Sequence, residues 1–256
     1  MIHITPETFD IYLIVMAAIA LVVFVALYRI KAGYGIFFDP KWGPGIPNRV
    51  GWLLMESPVV ILMTALWLAS ERTWEVVPLL FFVIFQTHYV QRAFIFPFLI
   101  RGRNKMPLGI ILMAVLFNAC NALMQGGWIF YFSPGYALSW LWSPQFIAGA
   151  ALFFTGFVIN LHSDSIIRRL RKPGDSKHYI PKGGMFRYVS SANYFGEFVE
   201  WVGFAVLTWS CAGAVFAWWT LANLAPRADA IYKNYTAEFG EEFTKLKLKR
   251  MIPFIY

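Results

Sequence analysis

An apolar stretch of the chain ends in Asn160, Asp164, Arg168 and Arg171, spaced 4, 4 and 3 residues apart, which is one face of a helix. Asn193 and Glu197 repeat the i, i+4 spacing further on. A face running from amide through carboxylate to guanidinium suits a nicotinamide or ribose at one end and phosphates at the other. The planar Arg fork binds phosphate through paired hydrogen bonds. The same residues equally suit interhelical hydrogen bonding by the Asn and Asp and lipid-headgroup pairing by the Arg, and spacing alone does not choose. A second constellation is Glu56 with Tyr89. In its neutral form a carboxylic acid, together with a phenol, can donate two hydrogen bonds to one carbonyl oxygen, as in an oxyanion hole. The competing reading makes Glu56 a structural acid satisfied by His88 or Arg92.

These residues lie in a chain of 256 residues that is 59% hydrophobic and only 14% charged, where soluble domains are about one quarter charged. Apolar runs near Ile11–Ile30, Val50–Ser70, Val76–Ile100, Pro107–Gly127, Pro144–Leu161, Phe195–Trp209 and Ala212–Leu224 each approach the ~20 residues needed to cross a bilayer. The expected fold is therefore all-α and polytopic, with seven transmembrane helices and a tight hairpin at Ser210–Gly213 between the last two. Seven crossings place every Lys and Arg except Arg72 on one side or at the adjoining helix ends. The positive-inside rule then sets the N-terminus outside and the C-terminus in the cytosol.

Ionisable groups inside spans are costly and by default face the protein interior. Besides the residues above, the polar and ionisable groups there include Asn118, Asn121, His162 and Glu200. Glu56 lies roughly 9 Å and Tyr89 roughly 15 Å from the cytosolic ends of their helices, at about 1.5 Å per residue. Five helices thus contribute polar groups to one half of the membrane, which describes a pocket open to the cytosol. No GxGxxG or Walker pattern occurs, and neither Cys120 nor Cys211 reads as a disulfide or metal ligand. Met1–Asp10 has no Lys or Arg, which argues against a signal peptide.

The block "NLHSDSIIRRLRKPGDSKHYIPKGGMFRYVSSANYFGEFVEWVGFAVLTWS", the closing "RMIPFIY", and upstream "AGYG", "GWLLMESP" and "THYVQRAFIFPFLIRGR" resemble the steroid 5α-reductase family. Residues 107–256 are similar to that family's C-terminal domain, and 1–256 reads as a single integral-membrane domain. The resemblance implies hydride transfer from NADPH to C5 of a 3-oxo-4-ene steroid, with the C3 oxygen stabilised as an enolate and C4 then protonated. It implies that Glu56 and Tyr89 polarise the carbonyl. It places Trp52, Arg92, Arg103, Asn160, His162, Ser163, Asp164, Arg171, Asn193, Glu197, Arg227 and Tyr235 around the cofactor, with Asn193 and Glu197 at the nicotinamide end and Arg103, Arg171 and Arg227 on phosphate. Tyr34, Met55, Phe117 and Trp201 are the implied substrate contacts. The chain departs from the family pattern at Met55, where Gln is usual and where Met has no hydrogen bond to donate, and at Ile100, His178, Tyr179 and Ile231.

Two relatives of the same fold, polyprenol and enoyl-thioester reductases, are the nearest alternatives. A methyltransferase of the isoprenylcysteine type ranks lower because "SANYFGE" lacks the His-Pro of that group's motif. A non-enzymatic sterol sensor leaves the Asn160–Asp164–Arg171 face without a purpose. The implied partners are a lipophilic steroid arriving from the bilayer and the bilayer itself, with no nucleic acid and no metal, in a monomer. Short loops suggest a bacterial inner membrane; an endoplasmic-reticulum enzyme would look similar.

Overall fold

The computed structural model describes residues 5–101, 104–170 and 178–256; Arg103 and Arg171 lie outside the described residues. The chain is helical almost throughout. Helix α1 (Pro6–Leu27) starts where the Thr5 hydroxyl accepts from the Thr8 amide at 3.3 Å and Pro6 takes the first turn. It buries only Phe9, Leu13, Met16 and Ala20, one stripe, while Ile11, Ile14 and Val22 are more than half exposed. A helix apolar all round suits lipid as its solvent. Helices α2 (Asn48–Leu68) and α3 (Val76–Val90) follow. A π-helical turn (Gln91–Ile95) joins α3 to the short α4 (Phe96–Leu99). Pro97 lacks the amide that would close the preceding turn, and a wider turn accommodates it.

Strands β1 (Gly45–Pro47) and β2 (Lys105–Pro107) pair antiparallel, Ile46 opposite Met106, and tie together the loops that precede α2 and follow α4. Then come α5 (Leu108–Gly127), α6 (Pro144–Leu170), α7 (Ala192–Thr208), α8 (Cys211–Phe239) and the short α9 (Glu241–Thr244). The turn between α7 and α8 is made by Trp209 in the left-handed region (φ 48°) and by Ser210, whose hydroxyl accepts from the Gly213 amide at 2.9 Å. The chain past α9 returns to the start of α7, where the Ser190 amide donates to the Lys249 carbonyl at 2.8 Å.

Among the described residues, five helical segments are long and apolar enough to cross a membrane: Pro6–Leu27, Asn48–Leu68, Val76–Leu99, Leu108–Phe132 and Pro144–Leu170. The expected sixth and seventh spans are helices too, but α7 has only 17 residues, and α8 runs on without a break through Pro226 into polar Arg227, Asp229 and Lys233. By length and composition alone, α7 and α8 fall outside that set of five.

The closest helix pair is α6 with α7, and glycine makes it possible. A methyl group on Gly156 would lie 2.5 Å from the Gly196 carbonyl oxygen, and one on Gly203 would lie 2.7 Å from that of Gly149. Small residues let membrane helices approach backbone to backbone. Because the obstacle is main chain, it cannot rotate away. Gly156→Val is expected to cost about 3 kcal/mol, the upper end for overpacking, read as a lowered unfolding midpoint in detergent. An unchanged midpoint would mean that the two helices do not meet at this distance. The glycine seam sets Asn160 and Asp164 of α6 against Asn193 and Glu197 of α7.

Candidate functional site

One cavity of about 360 Å³ lies among α2, α3, α5, α6, α7 and α8, under the loop that follows α1. That volume is in the range of small-molecule sites. Its deep part holds Glu56 and Tyr89, each gripped by an amide of α5. Asn118 Nδ2 donates to Glu56 Oε2 at 3.1 Å and to the Met55 carbonyl at 2.6 Å. Asn121 Nδ2 donates to the Tyr89 hydroxyl at 2.8 Å. Asn118 and Asn121 are i and i+3, hence neighbours on one helix face. With its oxygen accepting from Asn121, the Tyr89 hydroxyl keeps its own proton for an acceptor in the cavity. Beside it, His88 Nδ1 lies 2.9 Å from Glu200 Oε1, both buried.

Arg92, carried by the π turn, is the hub of a buried ionic network. Its Nη1 donates to Asp164 Oδ2 at 2.7 Å and its Nη2 to Glu197 Oε2 at 3.2 Å. Its guanidinium packs on Trp52 and Phe96, 5.2 and 4.7 Å from the ring centres. Asn160 Nδ2 joins the network, donating to Glu197 Oε2 at 3.4 Å and to the Asn193 carbonyl at 3.0 Å. Arg92 is thus paired with two carboxylates.

Two other guanidinium groups are not. Arg227 of α8 stacks on Tyr34 at 3.6 Å and donates through Nε to the Tyr194 hydroxyl at 2.6 Å, yet its buried Nη1 has no partner among the described residues. Arg168 Nη1 is likewise unpartnered, and both side chains line the cavity with Arg101. Unpaired, forked cations at the wall of a cavity suit the phosphates of a dinucleotide, and the amide and carboxylate of Asn193 and Glu197 suit its carboxamide end. One part of the wall is apolar: the Phe117 and Trp219 rings lie tilted at 4.8 Å between centres, with Phe216, Ala114, Met55 and Leu224 around them.

Of the residues expected at the site, Tyr34, Trp52, Met55, Glu56, Tyr89, Arg92, Phe117, Asp164, Asn193, Glu197 and Arg227 line this one cavity. Others do not. Trp201 is a core residue, 1% exposed, with its ring behind Tyr89 and against Phe216, so it backs the wall rather than forming it. His162 is exposed and its ring abuts Gly184, because at 100° per residue it points away from the face shared by Asn160, Ser163 and Asp164. Asn160 and Ser163 are buried behind the cavity, and Tyr235 packs edge-on to Phe239 and Phe243 beneath Ile180. The cavity also takes Asn48, Asn104, Tyr194, Thr220 and Asn223, which the sequence reading passed over. Asn223 carried a usable signal, a side-chain amide inside an apolar run; Tyr194 adjoins Asn193 but looks like any membrane tyrosine.

The fold and cavity define a helical, membrane-type protein with a buried polar site. Comparison with known proteins is specific. The family described as 3-oxo-5-alpha-steroid 4-dehydrogenase matches residues 104–256. The chain is 41% identical over 239 residues to 3-oxo-5-alpha-steroid 4-dehydrogenase 1 of Mus musculus, covering 93% of this chain and 92% of that protein. It is 38% identical over 242 residues to the Homo sapiens protein of the same name, covering 93% and 92%. To Steroid 5-alpha-reductase DET2 of Arabidopsis thaliana it is 38% identical over 239 residues, covering 91% and 90%. The chain belongs to the steroid 5α-reductase family of oxidoreductases. These relatives are animal and plant proteins and give no support to a bacterial host.

Proposed function

We propose that the protein reduces the Δ4 double bond of 3-oxo-4-ene steroids of the testosterone or progesterone type to 5α-dihydro products, with NADPH as reductant. One observation carries the reading: two hydrogen-bond donors, Glu56 and Tyr89, are held by neighbouring amides in the same cavity whose wall presents unpartnered guanidinium nitrogens. Bound NADPH supplies the hydride that adds at C5. Glu56, as the neutral acid, and Tyr89 donate to the C3 oxygen, drawing electrons from the double bond through C4 and leaving C5 electrophilic. As the C5–H bond forms, the π electrons become an enolate on the C3 oxygen, and these two donors stabilise it where it arises. A proton from solvent then adds at C4 and the carbonyl returns. The apolar wall of Phe117, Phe216 and Trp219 accommodates the fused rings and excludes water.

Asn193 and Glu197 would hold the carboxamide end of the cofactor. Arg168, Arg227 and Arg101, with Arg103 and Arg171 from the sequence match, would take its phosphates. Arg92 acts differently: it fixes Asp164 and Glu197 rather than reaching a phosphate itself. Residues 1–256 form one membrane-embedded unit, a monomer crossing seven times with the C-terminus cytosolic, on the strength of the Lys and Arg distribution and of α7 and α8 being helical. The short loops favour a bacterial inner membrane.

The test is NADPH consumption by the purified protein with testosterone or progesterone, the product compared with 5α standards by mass spectrometry. A 5α-dihydro product is expected; clear NADPH binding with no steroid product would overturn the substrate and point to polyprenols or enoyl thioesters. Arg227→Ala is expected to weaken NADPH binding by about thirtyfold, the equivalent of about 2 kcal/mol for one charge-assisted contact. An unaltered Kd would remove Arg227 from the phosphate site.

A further inference from the structure

We infer that Asn118 is the positioning residue of Glu56, an amide on α5 that does from the facing helix what Met55 cannot do from beside it. The inference rests on the reading that Glu56 donates to the substrate carbonyl. Met55 is buried, and a thioether has no hydrogen to donate. Among the described residues the side-chain donor to Glu56 is Asn118. Its one Nδ2 group has two hydrogens and uses both within α2, on the Met55 main-chain carbonyl at 2.6 Å and on Glu56 Oε2 at 3.1 Å. Bridging the backbone of one residue and the carboxyl of the next locks the Glu56 side chain to its own helix.

The bridge also decides which oxygen can act. Oε2 accepts from Asn118, so in the neutral acid the proton resides on Oε1, because a protonated carboxyl has one O–H donor and keeps its other oxygen as acceptor. Asn118 therefore sets both the direction and the chemical identity of the donating atom. The assignment fits the burial of Asn118, 4% exposed, where an amide without a partner would be costly.

A double-mutant cycle tests this. Asn118→Leu, similar in size but without a donor, is expected to lower kcat about tenfold, the effect of about 1.4 kcal/mol, while steroid KM and NADPH Kd change less than about twofold. Met55→Gln supplies a donor next to Glu56, and in that background Asn118→Leu is expected to cost no more than about threefold. A cost that is the same in both backgrounds, or no loss of kcat in Asn118→Leu, would overturn the inference. If the Leu variant fails to bind NADPH, Asn118→Ala, which crowds nothing, is put through the same cycle. Glu56→Gln run in parallel separates the two levels: unchanged turnover there overturns the role of Glu56 itself, whereas a large loss there with Asn118→Leu intact overturns only the role of Asn118.

Discussion

Glu56→Gln is expected to bind NADPH as the parent does and to turn over about 10²- to 10³-fold more slowly, the scale of losing one oxyanion-stabilising donor. The substitution is nearly isosteric, so Asn118 can still donate to the side-chain oxygen at position 56 and the cavity keeps its shape. The amide that replaces the acid still has an N–H, but it is a far weaker acid. Its hydrogen bond does not strengthen as the C3 oxygen gains charge, and it cannot share a proton with the enolate. The interaction lost is one made mainly in the transition state, so kcat and kcat/KM fall together while KM stays near its original value. Single-turnover kinetics with saturating NADPH and steroid would read this directly. Unchanged turnover would exclude Glu56 from the chemistry and leave it as a structural acid satisfied by Asn118.

The apolar runs made the helices easy to read, because lipid imposes a composition on a helix that a few polar residues cannot disguise. Their number of crossings was less legible. Helix α8 ignores Pro226 and stays continuous into its polar half, since packing outweighs the single hydrogen bond that a proline removes. At the site, helical spacing placed Asp164 and Arg168 on a common face, and both line the cavity. The same spacing turns His162 outward, which the motif match could not reveal because a motif has no direction. Trp201 and Tyr235 mark a different limit. Both occupy positions matched by motif, yet their rings are taken up by aromatic neighbours that are remote in sequence or belong to the C-terminal segment. The most consequential contact hidden in the sequence is that of Arg92. The sequence match places it only around the cofactor, and nothing in the spacing shows that carboxylates of two other helices, Asp164 and Glu197, meet on it.

Arg92→Met is expected to destabilise the protein by about 3–5 kcal/mol, because removing one member of a buried ion group leaves the others desolvated and uncompensated. Arg92 and Asp164 have side chains only 8% and 6% exposed, and Glu197 is 20% exposed, so water can repair little of the loss. Met retains an unbranched apolar stem against Trp52 and Phe96, so the effect reports the charge rather than a large void. The unfolding midpoint in detergent should fall. Adding Asp164→Asn and Glu197→Gln to Arg92→Met removes the stranded charges and should restore most of the midpoint, since a buried ion cluster contributes little beyond what its neutral replacement offers. NADPH binding should not return with it, because the carboxylate at 197 and the geometry Arg92 imposes on it are what the cofactor's carboxamide end would meet. Stability restored together with full NADPH affinity would show that the network is scaffolding alone. Stability that stays low in the triple variant would show that the cation–aromatic contacts with Trp52 and Phe96, and not the ion pairs, hold this end of α3.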